Sequence, residues 1–249
     1  MPLLMPSDPL LRLNDAVWRA DALAGTPVRV QATGERTLDA ELPGGGWPVG
    51  ALIEILQPAG VHSEWRLLLP ALARCGSGAV VLVGSPWVPF APSLAAQGLQ
   101  PQRLLWVKAQ AMAQRLWSAE QALRCADVDA ALVWLPLAVR SDQLRRLQMA
   151  AAEHSKLLFV MRPSQAQTQA SPAVLRVHLS VKHGNELPDN AGQESLELLL
   201  LKRRGPPRAQ PLQLLARSGP LALQLAASRQ AVTAPWRARH ALDRTASVA

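Results

Sequence analysis

Between residues 51 and 161, short apolar runs alternate with stretches whose apolar positions recur every three to four residues. Ala51 to Leu56 (ALIEIL), Ala79 to Val83 (AVVLV), Leu104 to Val107 (LLWV), Ala130 to Leu135 (AALVWL) and Leu157 to Met161 (LLFVM) read as strands. Unbroken apolar runs suit strands buried on both faces of a parallel sheet. The intervening stretches read as helices: 61–75, rich in Leu and disturbed by Pro70; a short one reaching Gly98 after the loop of Pro86, Pro89 and Pro92; 111–126, with Met112, Leu116, Ala119 and Leu123 on one face; and 141–153. Such alternation predicts an α/β fold with a mostly parallel central sheet flanked by helices, because parallel neighbours need crossovers.

The flanks are less regular. Ser7-Asp8-Pro9 reads as a helix start, with Leu10, Leu13, Val17 and Trp18 on one face and Gly25 to Pro27 as its end. Val28 to Val30 suits a short strand and Gly44 to Gly46 a flexible loop. Leu175, Val177 and Leu179 alternate, as do residues 196–201. The polar loop from Gly184 to Gly192 between them predicts a hairpin added to the sheet edge. Past Gly219 the pattern weakens to a short helix at 220–228 and a tail. The expected organisation is an N-terminal helix and linker over 1–30, an α/β domain over 31–218 and a basic tail over 219–249.

Composition narrows the class. Of 249 residues, 49% are hydrophobic and 18% charged, enough apolar material for a sizeable core and incompatible with wholesale disorder. Every apolar run is far shorter than the ~18 residues needed to span a bilayer, so no membrane association is expected. The start, MPLLMPSDPLLRL, lacks the basic and continuous apolar segments of a signal peptide. Cys75 and Cys125 stand far apart, which argues for free thiols and a cytoplasmic setting. The five histidines show no metal spacing. The net charge of +8 is concentrated at one end: residues 198–249 hold nine basic residues and a single acid, Asp243. A neutral body with a basic end fits a phosphate-rich or acidic partner, and equally a solvated tail.

Residues 33–55, TGERTLDAELPGGGWPVGALIEI, carry a more specific signal. Thr33, Gly34, Leu38, Asp39, Leu42, Gly45, Gly46, Pro48, Gly50, Glu54 and Ile55 match, without a gap, the segment leading into the phosphate loop of RecA/RadA recombinases. The chain thus resembles a RecA-like core over roughly residues 30–205. The loop itself does not match. A nucleotide loop needs G-x-x-x-x-G-K-[ST], with backbone N–H groups wrapping the phosphates, Lys neutralising them and a hydroxyl on Mg²⁺. Residues 57–64 read QPAGVHSE: Gln57 and His62 replace the glycines, Ser63 the Lys and Glu64 the hydroxyl residue. The two further acidic positions fall at Pro86 and Pro136. The expectation is a degenerate nucleotide site, no bound cofactor and no enzyme activity.

A RecA-like body with such a site resembles the ImuA family. The G-G-G-W-P-x-G turn, the Glu64 to Ala73 helix, Ala91 to Leu99 ahead of LLWV, and Leu200 to Pro206 (LLKRRGP) carry that resemblance. It implies an accessory role in SOS-induced translesion synthesis and mutagenesis beside ImuB, a Y-family polymerase homologue without polymerase activity. Indirect partners would be an error-prone DnaE-type polymerase and the sliding clamp, with RecA or DNA as further candidates and a nucleoid-associated location. A SulA-like division inhibitor, or a modulator binding RecA filaments or single strands, is the alternative.

Two basic groups are candidate partner or DNA contacts. Lys202, Arg203, Arg204 and Arg208 follow an apolar strand and suit phosphate or an acidic surface, or else a charged turn that blocks edge pairing. Trp236, Arg237 and Arg239 join an aromatic anchor to positive charge in the tail. Among the eight tryptophans, Trp106 and Trp134 lie within apolar strands and suit the core. Trp47 and Trp87, in loops beside Pro, suit either packing or exposed stacking.

Overall fold

The computed structural model describes residues 29–183, 194–205, 208 and 210–215. The predicted N-terminal helix, the 184–192 loop, and the tail with Trp236, Arg237 and Arg239 lie outside the described residues.

Among the described residues, ten strands and five α-helices follow in chain order: β1 (Val30–Gln31), α1 (Arg36–Asp39), β2 (Trp47–Pro48), β3 (Leu52–Gln57), α2 (Glu64–Leu72), β4 (Ala79–Val83), α3 (Ala91–Ala96), β5 (Leu104–Val107), α4 (Met112–Arg124), β6 (Val128–Trp134), α5 (Ser141–Glu153), β7 (Leu157–Pro163), β8 (Leu175–His183), β9 (Glu194–Lys202) and β10 (Leu212–Leu215). Eight strands form one sheet in the order β10-β9-β8-β3-β7-β6-β4-β5. The six from β8 to β5 are parallel; β9 pairs antiparallel with β8, and β10 antiparallel with β9. This is the α/β, RecA-like architecture that the sequence predicts, including the edge hairpin of β8 and β9.

Three details depart from the sequence reading. Trp47-Pro48 pairs with Val30-Gln31 as a separate two-stranded sheet, and Trp47 is buried edge-on against Phe159 at 5.5 Å. A bulky ring with an apolar face to cover outweighs the turn propensity around it. Helix α2 is shorter than the expected 61–75, spanning Glu64–Leu72 with Pro70 inside it. Strand β10 extends the sheet past β9, with Leu212 and Leu214 buried.

Each face of the sheet carries its own core. On one side Ile53, Ile55, Leu82 and Phe159 pack with Leu67, Leu68 and Leu72 of α2 and with Leu38. On the other, Leu52, Val81, Val133 and Val160 pack with Leu123 of α4 and Leu144 and Leu147 of α5. Burial of each such side chain contributes about 1.5–3 kcal/mol. Alternate residues of each strand feed the two cores, which is why the inner strands read as unbroken apolar runs.

One group interrupts this pattern. Glu54, in the middle of β3, is fully buried, with Oε1 2.9 Å from Arg162 Nη1 on β7 and Oε2 2.6 Å from Arg176 Nε on β8. Arg176 also donates to the carbonyls of Ala166 (2.7 Å) and Gln167 (3.2 Å). Arg162 donates to Gln169 Oε1 (2.6 Å) and the Leu137 carbonyl (3.2 Å), while its Nε finds no partner among the described residues. One carboxylate thus faces two guanidiniums, and carbonyl and amide oxygens solvate the rest of the surplus charge.

Candidate functional site

The chain leaves β4 toward β5 on one side and leaves β6 toward β7 on the other, so the connections diverge where β4 and β6 lie side by side. At such a point the carboxyl ends of parallel strands bound a crevice with no crossover above it. Here it forms a cavity of about 480 Å³. The turns after β3 (Gln57 to His62), β4 (Gly84 to Pro86), β5 (Lys108 to Gln110) and β6 (Leu135, Pro136) line it, with Trp106, Arg115, Trp134 and Arg162.

On the β3 side, the phosphate-loop position is filled by the protein itself. Glu64 opens α2 and is buried, so its carboxylate sits at the positive end of the helix dipole, where an anion is favoured. Gln57 Nε2 donates to Glu64 Oε2 at 3.0 Å, and Gln57 Oε1 accepts from the Ser63 N–H at 3.1 Å. Glutamine and glutamate therefore close the loop on itself. A triphosphate does not fit this wall: the loop carries a carboxylate where phosphate charge would lie, and Lys is missing. Pro86 and Pro136, which stand where the two acids would be, both border the cavity and supply no Mg²⁺ ligand.

The opposite wall has another character. Lys108 lies 4.6 Å from the centre of the Trp106 ring. Trp106, expected in the core, is only half-buried, because β5 is an edge strand. Arg115, from α4, donates to the carbonyls of Ala109 (3.0 Å) and Trp134 (2.9 Å), tying together the ends of β5 and β6. Neither Lys108 nor Arg115 has a carboxylate partner among the described residues, and the lining contains no Asp or Glu. Among the described residues, the buried indole N–H groups of Trp106 and Trp134 have no hydrogen-bond partner. At the rim, the His62 and Trp87 rings meet edge-to-face at 6.0 Å.

The basic group after β9 is divided. Arg203 Nη1 lies 3.1 Å from Glu41 Oε2, and Arg208 pairs with Glu41 Oε1. Arg203 also donates to the Glu41 carbonyl. These contacts hold Glu41 below the usual carboxylate range, the hydrogen bond from Arg208 being the largest cause. The structure thus uses Arg203 and Arg208 within the fold. Lys202 and Arg204 are exposed, Lys202 reaching the Ser171 carbonyl at 3.2 Å.

Comparison with protein-family models finds no match. Among curated proteins, the chain is 30% identical over 193 residues to Protein ImuA of Caulobacter vibrioides, with the same figures in two strains. The alignment covers 74% of this chain and 77% of the relative. The chain belongs to the ImuA family. In this ImuA-family chain the RecA-like frame is kept while the phosphate loop is rebuilt around Gln57 and Glu64.

Lys108, Arg115 and Trp106 were not singled out as site residues by the sequence. A signal for Lys108 existed: a charge directly after an apolar parallel strand faces the crevice at its carboxyl end. Arg115 gave no such signal, since an arginine on an amphipathic helix reads as solvated.

Proposed function

We propose that this chain is a non-catalytic RecA-like accessory protein of the SOS-induced translesion synthesis mutasome. In this reading it binds an ImuB-type inactive Y-family polymerase homologue and so serves an error-prone DnaE-type polymerase and the sliding clamp. Membership of the ImuA family supports involvement in damage-induced mutagenesis. The observation that carries the non-catalytic part is the Gln57–Glu64 pair, which places a buried carboxylate where a RecA-like site would receive phosphate. Phosphoryl transfer is almost entirely charge stabilisation and positioning, and this wall offers the wrong charge.

The test is co-purification from the native host after DNA damage, read by mass spectrometry, with the full chain and a Trp236→Ala, Arg237→Ala, Arg239→Ala variant. The expected result is recovery of the Y-family homologue by the full chain and its loss with the tail variant. Recovery of the division-ring GTPase instead would replace this reading with a SulA-like inhibitor. ATP turnover by the purified chain, with or without single-stranded DNA, would overturn the non-catalytic assignment.

A further inference from the structure

The crevice joins two surface features that neither core nor crossover requires. The first is charge. Lys108 and Arg115 line the cavity without a carboxylate partner among the described residues, and Arg162 brings in the surplus charge of the buried triad. Among the described residues, the nearby acids are turned away from the cavity: Glu64 is buried against Gln57, and Glu54 is buried between Arg162 and Arg176. Lys108 is exposed and Arg115 half-buried, so the mouth of the crevice presents positive charge that no carboxylate among the described residues offsets.

The second is an exposed apolar rim. The turn after β4 presents Trp87, Val88 and Phe90 to solvent, with 66%, 65% and 72% of their surface accessible. This run is not slack chain. Pro86, Pro89 and Pro92 restrict it, Ser85 Oγ donates to the Trp87 carbonyl at 2.7 Å, and Phe90 caps α3. Trp87 leans on His62, which itself lines the cavity. Trp87 therefore stands outward beside a cationic recess, with Phe90 exposed three residues further along the same turn. A partner protein's apolar patch would use the rim and leave the recess unmatched. An isolated anion would use the recess and leave the rings exposed.

We propose that this crevice binds single-stranded nucleic acid, with bases stacked on Trp87 and Phe90 and backbone phosphates drawn to Lys108 and Arg115. Both features are then used at once: every base has a face to stack, and every linkage carries one negative charge. A duplex keeps its bases covered, so the site discriminates by strandedness rather than by sequence. The cavity volume is suited to a single nucleotide unit turned inward. This assignment rests on the crevice residues alone and not on the proposed contact with the Y-family homologue.

The experiment is fluorescence anisotropy with the full chain and labelled 25-nucleotide oligo-dT, an abasic strand of equal length and the matching duplex, over a salt series. The probe is read against wild type, Lys108→Ala, Trp87→Ala/Phe90→Ala, and Arg237→Ala/Arg239→Ala as a control for the basic tail. Trp87 and Phe90 are exposed, and circular dichroism checks that their replacement leaves the fold intact. Stacking is worth ~1–3 kcal/mol per base, so the aromatic double variant should bind oligo-dT at least about tenfold more weakly. It should bind the abasic strand as wild type does. Lys108→Ala should lower both affinity and the salt slope. The tail control should keep the preference for oligo-dT over the abasic strand. Equal binding of oligo-dT and the abasic strand by wild type would overturn the proposal. So would unchanged oligo-dT binding by both crevice variants, or crevice-dependent binding of an acidic, aromatic peptide with no binding of oligo-dT.

Discussion

The guanidinium of Arg115 runs through the space that a side chain on Gly84 would need: a Cβ built there would lie 2.6 Å from Arg115 Nε and 2.8 Å from its Cδ. Gly84 also has φ +65°, a left-handed conformation at the end of β4. Gly84→Ala should therefore cost more than the ~1–2 kcal/mol of the backbone conformation alone, because Arg115 must leave the Trp134 and Ala109 carbonyls. Thermal unfolding of Gly84→Ala, Arg115→Ala and the double variant checks this. The two changes should be clearly non-additive, the double variant losing less than the sum of the singles.

The buried triad predicts an asymmetry. Glu54→Ala leaves two guanidiniums facing each other in a dry interior, and loss of one partner from a buried ion pair costs about 3–5 kcal/mol. Arg162→Met should cost less. It removes the surplus positive charge, including the unpartnered Nε, and leaves Glu54 and Arg176 as a neutral pair. Urea denaturation of both variants tests the order; a milder effect for Glu54→Ala would contradict it.

Gln57→Ala strips the buried Glu64 carboxylate of its side-chain donor. An unsatisfied buried acceptor costs about 1–3 kcal/mol or more when charged, which for a chain of this size lowers Tm by about 4–8 °C at 2 kcal/mol. Glu64→Gln keeps an acceptor oxygen for the Gln57 amide and should be milder.

Glu41 predicts an acid-side effect. Its folded pKa lies below the ordinary 4.5 because Arg208 and then Arg203 stabilise the carboxylate. The contribution to stability is therefore complete above about 4.5 and is lost as pH falls through the depressed folded value. Wild type and Glu41→Gln should differ at pH 7 and converge in strong acid. Added salt should narrow the difference, since both side chains are partly exposed. Denaturant midpoints across pH provide the measurement.

The two thiols should react at different rates. Cys125 is exposed, whereas Cys75 is half-buried, and desolvation pushes its thiol up. A disulfide reagent should label one thiol quickly in the native protein and the second only on unfolding.

The inner strands β3, β4, β6 and β7 were legible because parallel strands buried on both faces are apolar almost throughout. The helices α4 and α5 were legible from their apolar spacing. The phosphate-loop departures at Gln57, Ser63 and Glu64 could also be read directly, since that chemistry is local in sequence. What was not legible depended on distance. Nothing near Arg203 or Arg208 announces Glu41, more than 160 residues earlier, so a pair internal to the fold read as a free basic patch. Arg115 looked solvated because its carbonyl partners belong to other elements. Trp47 and Trp87 occupy similar Pro-flanked turns, yet one is buried and the other exposed, a difference set only by what lies above each ring.

Glu54 and Arg176 have a consequence for how the chain selects its own topology. Side-chain alternation lets β8 slide along β3 by two residues without moving any apolar group to the wrong face, and the Leu- and Val-rich strands of this sheet offer little else to tell the alignments apart. Glu54 lies opposite Arg176 in the native alignment. A two-residue slip would set His178 or Val174 there and carry the guanidinium about 6.6 Å away from a buried carboxylate. An apolar sheet is sticky but indifferent to order. A slipped register would strand the Glu54 carboxylate in the interior without its Arg176 partner, so this pair fixes the offset at which β8 lies against β3.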